Sequence, residues 1–180
     1  MQIRNPKPAV FLDRDGVLTE ERGYIASPDN LKLFPYTAEC IRRIHEKGYY
    51  AIVITNQSGV ARGLFTEEAL QEMNDILRKQ TNVDAIFYCP HHPEGKIEKY
   101  RKKCGCRKPL PGMLEAACKA YDIDMQNSFL VGDRAGDILA GQAAGVKTIL
   151  VESGYGTAGL ERDVTPDYIM KDLRDVLAVL

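Results

Sequence analysis

The chain has 180 residues, with 44% apolar and 27% charged side chains. That length and mix describe one folded domain and exclude a disordered or fibrous chain. Twenty-four Lys and Arg balance 25 Asp and Glu, so no global charge draws the chain to nucleic acid or anionic lipid. No apolar run is long enough to cross a bilayer. The opening stretch Met1–Pro8 lacks the apolar core of a secretory signal, so a cytoplasmic, reducing location is expected, without structural disulfides. The sequon Asn56-Gln57-Ser58 is then idle.

Along the chain, short apolar runs alternate with helical patterns. Residues 8–12 read as a buried strand, and a helix is expected near 36–47, closed by Gly48. A second strand covers 50–54. A helix near 66–80 follows, started by Thr66 with Glu67 and Glu68. A third strand spans 84–88, and a helix lies near 112–121. A fourth strand covers 128–131, with a helix near 136–144 closed by Gly145, and a fifth strand covers 146–151. Leu173, Val176, Leu177 and Leu180 form the i, i+3, i+4, i+7 stripe of a packed helix over 171–180. The strands are apolar without alternation, as expected when both faces are covered. The expected fold is an α/β doubly wound, Rossmann-like parallel sheet with helices on both faces.

Such sheets place chemistry at the carboxyl ends of their strands. There stand Asp13-Arg14-Asp15-Gly16, then Thr55-Asn56-Gln57-Ser58-Gly59, then a Cys/His segment running into Arg107-Lys108-Pro109, and finally Gly132-Asp133-Arg134-Ala135-Gly136-Asp137. Singly, Asp and Gly are ordinary turn residues, and Ser or Thr an ordinary helix cap. Together they bring carboxylates, a hydroxyl and a lysine to one edge. Clustered carboxylates call for a hard divalent cation, and Mg²⁺ suits a few carboxylates, water and a phosphate.

Cys89, Cys104 and Cys106 share an 18-residue window with His91 and His92, which suggests a metal site. Cys40 and Cys118 fall in helical patterns and read as small core residues, and His45 as a surface residue. Gly154-Tyr155-Gly156-Thr157-Ala158-Gly159 spells G-x-G-x-x-G after a strand. A dinucleotide site needs that motif to open a helix; Asp163-Val164-Thr165-Pro166 follows too soon, so the run reads as a flexible loop.

The motif Phe11-Leu12-Asp13-Arg14-Asp15-Gly16-Val17-Leu18, with Thr55, Lys108 and Gly132-Asp133-xxx-Asp137 in that order, resembles the haloacid dehalogenase-like phosphatases. More narrowly, Thr55–Gly63, Cys89-Pro90-His91-His92-Pro93 and Cys104-x-Cys106-Arg107-Lys108-Pro109-x-Pro111-Gly112-Met113 resemble the heptose 1,7-bisphosphate 7-phosphatase branch, over residues 9 to 151. The resemblance implies a Mg²⁺-dependent phosphatase acting on a small phosphorylated sugar, in the supply of activated heptose. It implies Asp13 as nucleophile, forming an aspartyl phosphate, and Asp15 as general acid and base. Mg²⁺ would lie on Asp13, the backbone carbonyl of Asp15 and Asp133, with Asp137 supporting. Thr55 and Lys108 would stabilise the moving phosphoryl group. Glu21, Arg22, Gly23, Tyr24, Asn56, Gln57, Ser58, Arg107 and Arg134 match substrate-contacting positions; Arg134 stands where relatives usually carry lysine.

With that match, Cys89-x-His91 and Cys104-x-Cys106 imply a closed tetrahedral zinc set, with His92 as the alternative histidine and a strained Cys104–Cys106 disulfide as the alternative chemistry. Seven basic residues (Lys96, Lys99, Arg101, Lys102, Lys103, Arg107 and Lys108) face only Glu94 and Glu98, so the loop over about 89–107 would depend on zinc to order it. Zinc would thereby aim Arg107 and Lys108 at the substrate. The gaps between Asp13, Thr55 and Lys108 hold no large cap domain, so residues 1–180 are expected to form one open-sited domain. A monomer without nucleic-acid or membrane partners is expected. The rival readings are a histidinol-phosphate phosphatase, which shares the motifs and a similar zinc loop; a nucleic-acid 3′-phosphatase; a non-enzymatic phosphoacceptor; and a zinc-loop interaction module.

Overall fold

The computed structural model describes residues 6–180. The first five residues of the stretch weighed above as a leader lie outside the described residues. Six strands, β1 (Ala9–Leu12), β2 (Tyr50–Asn56), β3 (Ala85–Cys89), β4 (Phe129–Gly132), β5 (Lys147–Val151) and β6 (Tyr168–Met170), form one sheet in the order β3-β2-β1-β4-β5-β6. Every neighbouring pair is parallel. Five helices accompany them: α1 (Thr37–Glu46), α2 (Glu67–Thr81), α3 (Gly112–Ala120), α4 (Ala135–Ala144) and α5 (Leu173–Val176).

Alternation along the strands builds two cores. Val10 and Leu12 of β1, with Ala51, Val53, Phe129 and Val131, pack against Ile41 and Ile44 of α1, Leu77 of α2 and Val176 of α5. Ala9 and Phe11 point the other way, with Ile52, Ile54 and Leu130, onto Met113, Leu114 and Ala117 of α3 and Ala140 of α4. Successive side chains of a strand face opposite sides of its sheet, so covering both faces requires continuous apolar strands. All four residues of β1 are fully buried.

Cap chemistry sets the helix ends. The Thr66 hydroxyl accepts from the Ala69 amide at 3.2 Å to open α2, and Gly145 takes φ +74° to close α4. The expected doubly wound sheet is therefore present, with the chain reversing direction across the sheet between β1 and β4. Two departures occur near the C-terminus. β6, three residues on the sheet edge with Ile169 exposed, was absent from the sequence reading. The helix expected over 171–180 shrinks to α5, one turn capped by Asp172. Its stripe still packs inward, with Leu173 and Val176 fully buried. Among the described residues no cap domain is inserted: the stretches between β1 and α1 and between β3 and α3 carry only the one-turn 3-10 helices Pro28–Asn30 and Glu98–Tyr100. Among the described residues no helix is long and apolar enough to cross a membrane.

Candidate active site

The crevice sits at the carboxyl ends of β1, β2 and β4, where the strand order reverses. It has a volume of about 470 Å³. Asp13 leaves β1 with its amide donating to Val131 O at 2.9 Å, which ties the strand end to β4. The chain then turns tightly, because Arg14 O accepts from the amides of Leu18 and Thr19. Gly16 completes the turn at φ +89°; a Cβ there would lie 2.3 Å from an Asp133 carboxylate oxygen, so only glycine fits.

Carboxylate oxygens of Asp13, Asp133 and Asp137 all lie within 4.8 Å of one another. Their environments differ. Asp137, in the first turn of α4, accepts from the amides of Asp133 and Arg134 through Oδ2 and from Lys108 through Oδ1 at 2.6 Å. It is fully engaged by protein groups. Asp133 accepts from the Tyr155 amide through Oδ2 at 2.9 Å, while its Oδ1 is buried with no partner. Burial, with the charges of Asp13 and Asp137, pushes the Asp133 carboxyl up to about 8. Burial likewise raises Asp13, with Lys108 pulling back, to about 6. Two buried carboxylates held at such a cost, one with an orphaned oxygen, fit a divalent cation.

Lys108 is the internal counterion. Its side chain is 3% exposed, and Nζ reaches Asp13 Oδ1 at 3.0 Å, Asp137 Oδ1 at 2.6 Å and Ile54 O at 2.8 Å. Burial opposes its charge, but the two aspartates outweigh this and hold its pKa above the usual lysine range. Its backbone is clamped by Asn56, whose side-chain amide donates to Lys108 O and accepts from Lys108 N. Asn56 thus lines the crevice with its amide already engaged, and positions Lys108. Gln57 also holds other site groups: its Nε2 donates to Asp15 Oδ2 at 2.8 Å and to the Thr55 hydroxyl at 2.9 Å.

Asp15 carries the feature least visible in the sequence. The Arg14 side chain is fully buried and grips Asp15 through Nε and Nη2 at 2.9 and 3.0 Å. Thr19 donates to the same carboxylate at 3.1 Å. Burial alone would raise Asp15, but Arg14, Gln57 and Thr19 outweigh it and keep the carboxyl below its ordinary range. In this conformation Asp15 is an ionised carboxylate whose oxygens are occupied by donors. To donate a proton it must first leave Arg14.

Of the sequence-derived substrate residues, Glu21, Gly23, Tyr24, Asn56, Gln57, Ser58, Arg107 and Arg134 line the crevice. Arg22 does not; it pairs with Glu20. Three further lining residues, Arg62, Gly136 and Tyr155, have no role in the sequence reading, although Arg62 stands inside the quoted Thr55–Gly63 run. The Gly154–Gly159 run opens no α-helix, which agrees with the rejection of a dinucleotide site. It is nevertheless no loose loop, being tied to Asp133 and ending in a one-turn 3-10 helix.

Beside the crevice, Cys89, His91, Cys104 and Cys106 converge. The three sulfurs lie 3.1–3.4 Å apart, and His91 Nδ1 is 3.7 Å from Cys89 and 3.5 Å from Cys106. None of the cysteines is disulfide-bonded, which sets aside the Cys104–Cys106 bridge. Thiolates on a tetrahedral zinc at about 2.3 Å stand about 3.8 Å apart, so the donor set is of the right kind and number but its sulfurs are gathered more tightly than a bound zinc would hold them. His92 lies outside the set and instead meets Arg62 at 3.1 Å.

A parallel sheet with an aspartate pair after its first strand, a buried lysine and an acidic turn after its fourth defines the haloacid dehalogenase-like class. A family model described as HAD-hydrolase-like matches residues 105–176. The D-glycero-beta-D-manno-heptose-1,7-bisphosphate 7-phosphatase of Salmonella typhi is 41% identical over 175 residues, covering 94% of this chain and 93% of the relative. The D-glycero-alpha-D-manno-heptose-1,7-bisphosphate 7-phosphatase of Photorhabdus laumondii is 42% identical over 163 residues, covering 86% and 87%. The crystal structure of the D,D-heptose 1,7-bisphosphate phosphatase of B. bronchiseptica, complexed with magnesium and phosphate, superposes with a TM-score of 0.85 at 34% identity, covering 96% of this chain and 97% of that one. The chain belongs to the heptose-1,7-bisphosphate 7-phosphatase family of haloacid dehalogenase-like hydrolases.

Proposed function

We propose that this chain is a single-domain phosphatase that removes the 7-phosphate from D-glycero-D-manno-heptose 1,7-bisphosphate. The observation that carries the reading is the charge layout of the crevice. Acidic Asp13, Asp15 and Asp137, with Glu21 paired to Arg134, line it with four cations, Arg62, Arg107, Lys108 and Arg134. One phosphate needs only the acidic end with its metal and Lys108. The remaining arginines suit a second phosphate on the same small molecule.

Asp13, the carbonyl of Asp15 and Asp133, through its unpartnered Oδ1, would hold Mg²⁺; bound there, the ion neutralises phosphoryl oxygens and orients the reacting phosphorus. The Asp13 carboxylate attacks that phosphorus, and the bond to the sugar oxygen breaks. Asp15, once freed from Arg14 and protonated from solvent, donates that proton to the departing alkoxide. Asp15 then takes a proton from water, whose oxygen attacks the phosphorus and releases Asp13 and inorganic phosphate. Such positioned proton transfer contributes roughly 10²–10⁴ in rate. Lys108 and the Thr55 hydroxyl steady the phosphoryl oxygens throughout. Cys89, His91, Cys104 and Cys106 would hold a structural Zn²⁺, which would fix the basic loop and hence Arg107 and Lys108 at the crevice. The chain is read as cytoplasmic and monomeric.

Phosphate release from both anomers of the bisphosphate and from histidinol phosphate, measured side by side, tests the reading. Higher kcat/KM on either heptose anomer is expected. Faster turnover of histidinol phosphate overturns the substrate and leaves the chemistry standing.

A further inference from the structure

The Gly154–Gly159 run has no part in the reaction described above, yet its backbone is built around the site. The Tyr155 amide donates to Asp133 Oδ2 at 2.9 Å, and Ser153 Oγ donates to Gly16 O at 2.6 Å. A Cβ on Gly154 would lie 2.1 Å from Asp133 Oδ2, and one on Gly156 would lie 2.0 Å from a Glu152 carboxylate oxygen. Gly156 also holds φ +56°. Two glycines and two hydrogen bonds therefore fix where the Tyr155 ring stands: on the crevice wall, 44% exposed.

That ring meets one side chain face to face. The Arg134 guanidinium lies 3.8 Å from its centroid. One Arg134 Nη2–H donates to Glu21 Oε2 at 3.2 Å. Arg134 is otherwise half-exposed and carries five N–H donors. An arginine so exposed samples many rotamers, and a ligand must immobilise it on binding. A stacked ring on one face and a carboxylate at one edge place it in advance, with its other donors left for an anion.

We propose that Tyr155 is a positioning residue that sets the preference for doubly phosphorylated sugars by holding Arg134 over the crevice. This rests on the bisphosphate reading. Its backbone and ring have separate tasks: the amide restrains Asp133, and the ring restrains Arg134. A side-chain substitution at Tyr155 keeps the amide and so tests the ring alone.

Kinetics of Tyr155→Ala and Tyr155→Phe on heptose 1,7-bisphosphate and on p-nitrophenyl phosphate, which has no second phosphate, test the proposal. Tyr155→Ala is expected to raise KM for the bisphosphate about three- to tenfold, the scale of one cation–π contact, with kcat within about twofold. KM for p-nitrophenyl phosphate should move less than about twofold. Tyr155→Phe keeps the ring face and should restore the wild-type KM. In an Arg134→Ala background, Tyr155→Ala should add nothing. A Tyr155→Ala enzyme with wild-type KM, one that loses kcat equally on both substrates, or a Tyr155→Phe enzyme as impaired as Tyr155→Ala overturns the proposal. A wild-type enzyme that leaves the bisphosphate intact is a different failure, that of the substrate reading.

Discussion

Replacing Lys108 by Met removes one charge at nearly constant volume from a buried cluster. In the wild type its ammonium touches two carboxylates, at 3.0 and 2.6 Å, and one carbonyl. If Asp13 and Asp137 stayed ionised without it, the loss would be about 3–5 kcal/mol, as for other broken buried ion pairs. A less costly response is open to Asp13. Burial raises its pKa to about 6 even with Lys108 pulling it down, so without Lys108 it rises further and the acid holds its proton near neutrality. The sign follows. Above about pH 6 the wild type has Asp13 ionised against a lysine that the variant lacks, and the variant is less stable. Well below that pH Asp13 is protonated in both, and the part of the deficit owed to Asp13 vanishes. Urea unfolding of both proteins without divalent metal, at pH 5 and pH 8, measures this directly. A deficit of about 2–4 kcal/mol at pH 8 that shrinks by at least half at pH 5 is expected. Phosphate release should fall about 10²–10³-fold, since a donor to the transferring group is gone. An equal stability deficit at both pH values refutes the coupling between Lys108 and Asp13.

The metal sites and the glycine contact give three more expectations. Asp133 and Asp13 have pKa values raised to about 8 and about 6, so metal-free protein should lose thermal stability as pH climbs from 4 to 8. Added Mg²⁺ should stabilise more at pH 8 than at pH 5, and an identical shift in Tm at both argues against these acids as ligands. Zinc removal, or Cys106→Ser, should disorder the segment over 89–107 and raise KM at least about fivefold, scored by amide exchange and steady-state kinetics; an ordered loop with unchanged KM breaks the link to Arg107. Gly154→Ala drives a methyl into Asp133 Oδ2 and should weaken Mg²⁺ activation about tenfold or more, whereas unchanged activation shows that Asp133 has room to yield.

What the sequence made legible follows from range. Five strands were readable because a sheet covered on both faces demands apolar runs, buried throughout in β1 and β4. The carboxyl ends of β1, β2 and β4 then named Asp13, Asp15, Thr55, Asp133 and Asp137 without knowledge of any contact, and the segment after β3 named Lys108. β6 escaped because three edge residues, one of them exposed, leave no apolar run. Helix α5 was overdrawn because a buried stripe reports packing whether or not the backbone stays helical. Arg14 carries no signal of its own in the sequence; its burial comes from a loop that closes over it. Tyr155 was set aside because its importance lies in Asp133 and Arg134, about twenty residues earlier in the chain. The amides of Asn56 and Gln57 marked the right place, but which partners they hold is decided by side-chain packing.

The central claim is that Asp13 carries the phosphoryl group. Rapid acid quench of enzyme, Mg²⁺ and heptose bisphosphate labelled at the 7-phosphate, followed by peptide mapping, tests it most directly. The account predicts a hydroxylamine-sensitive label on the peptide holding Asp13, absent from Asp13→Asn. Label on another residue, or full turnover by Asp13→Asn, contradicts it.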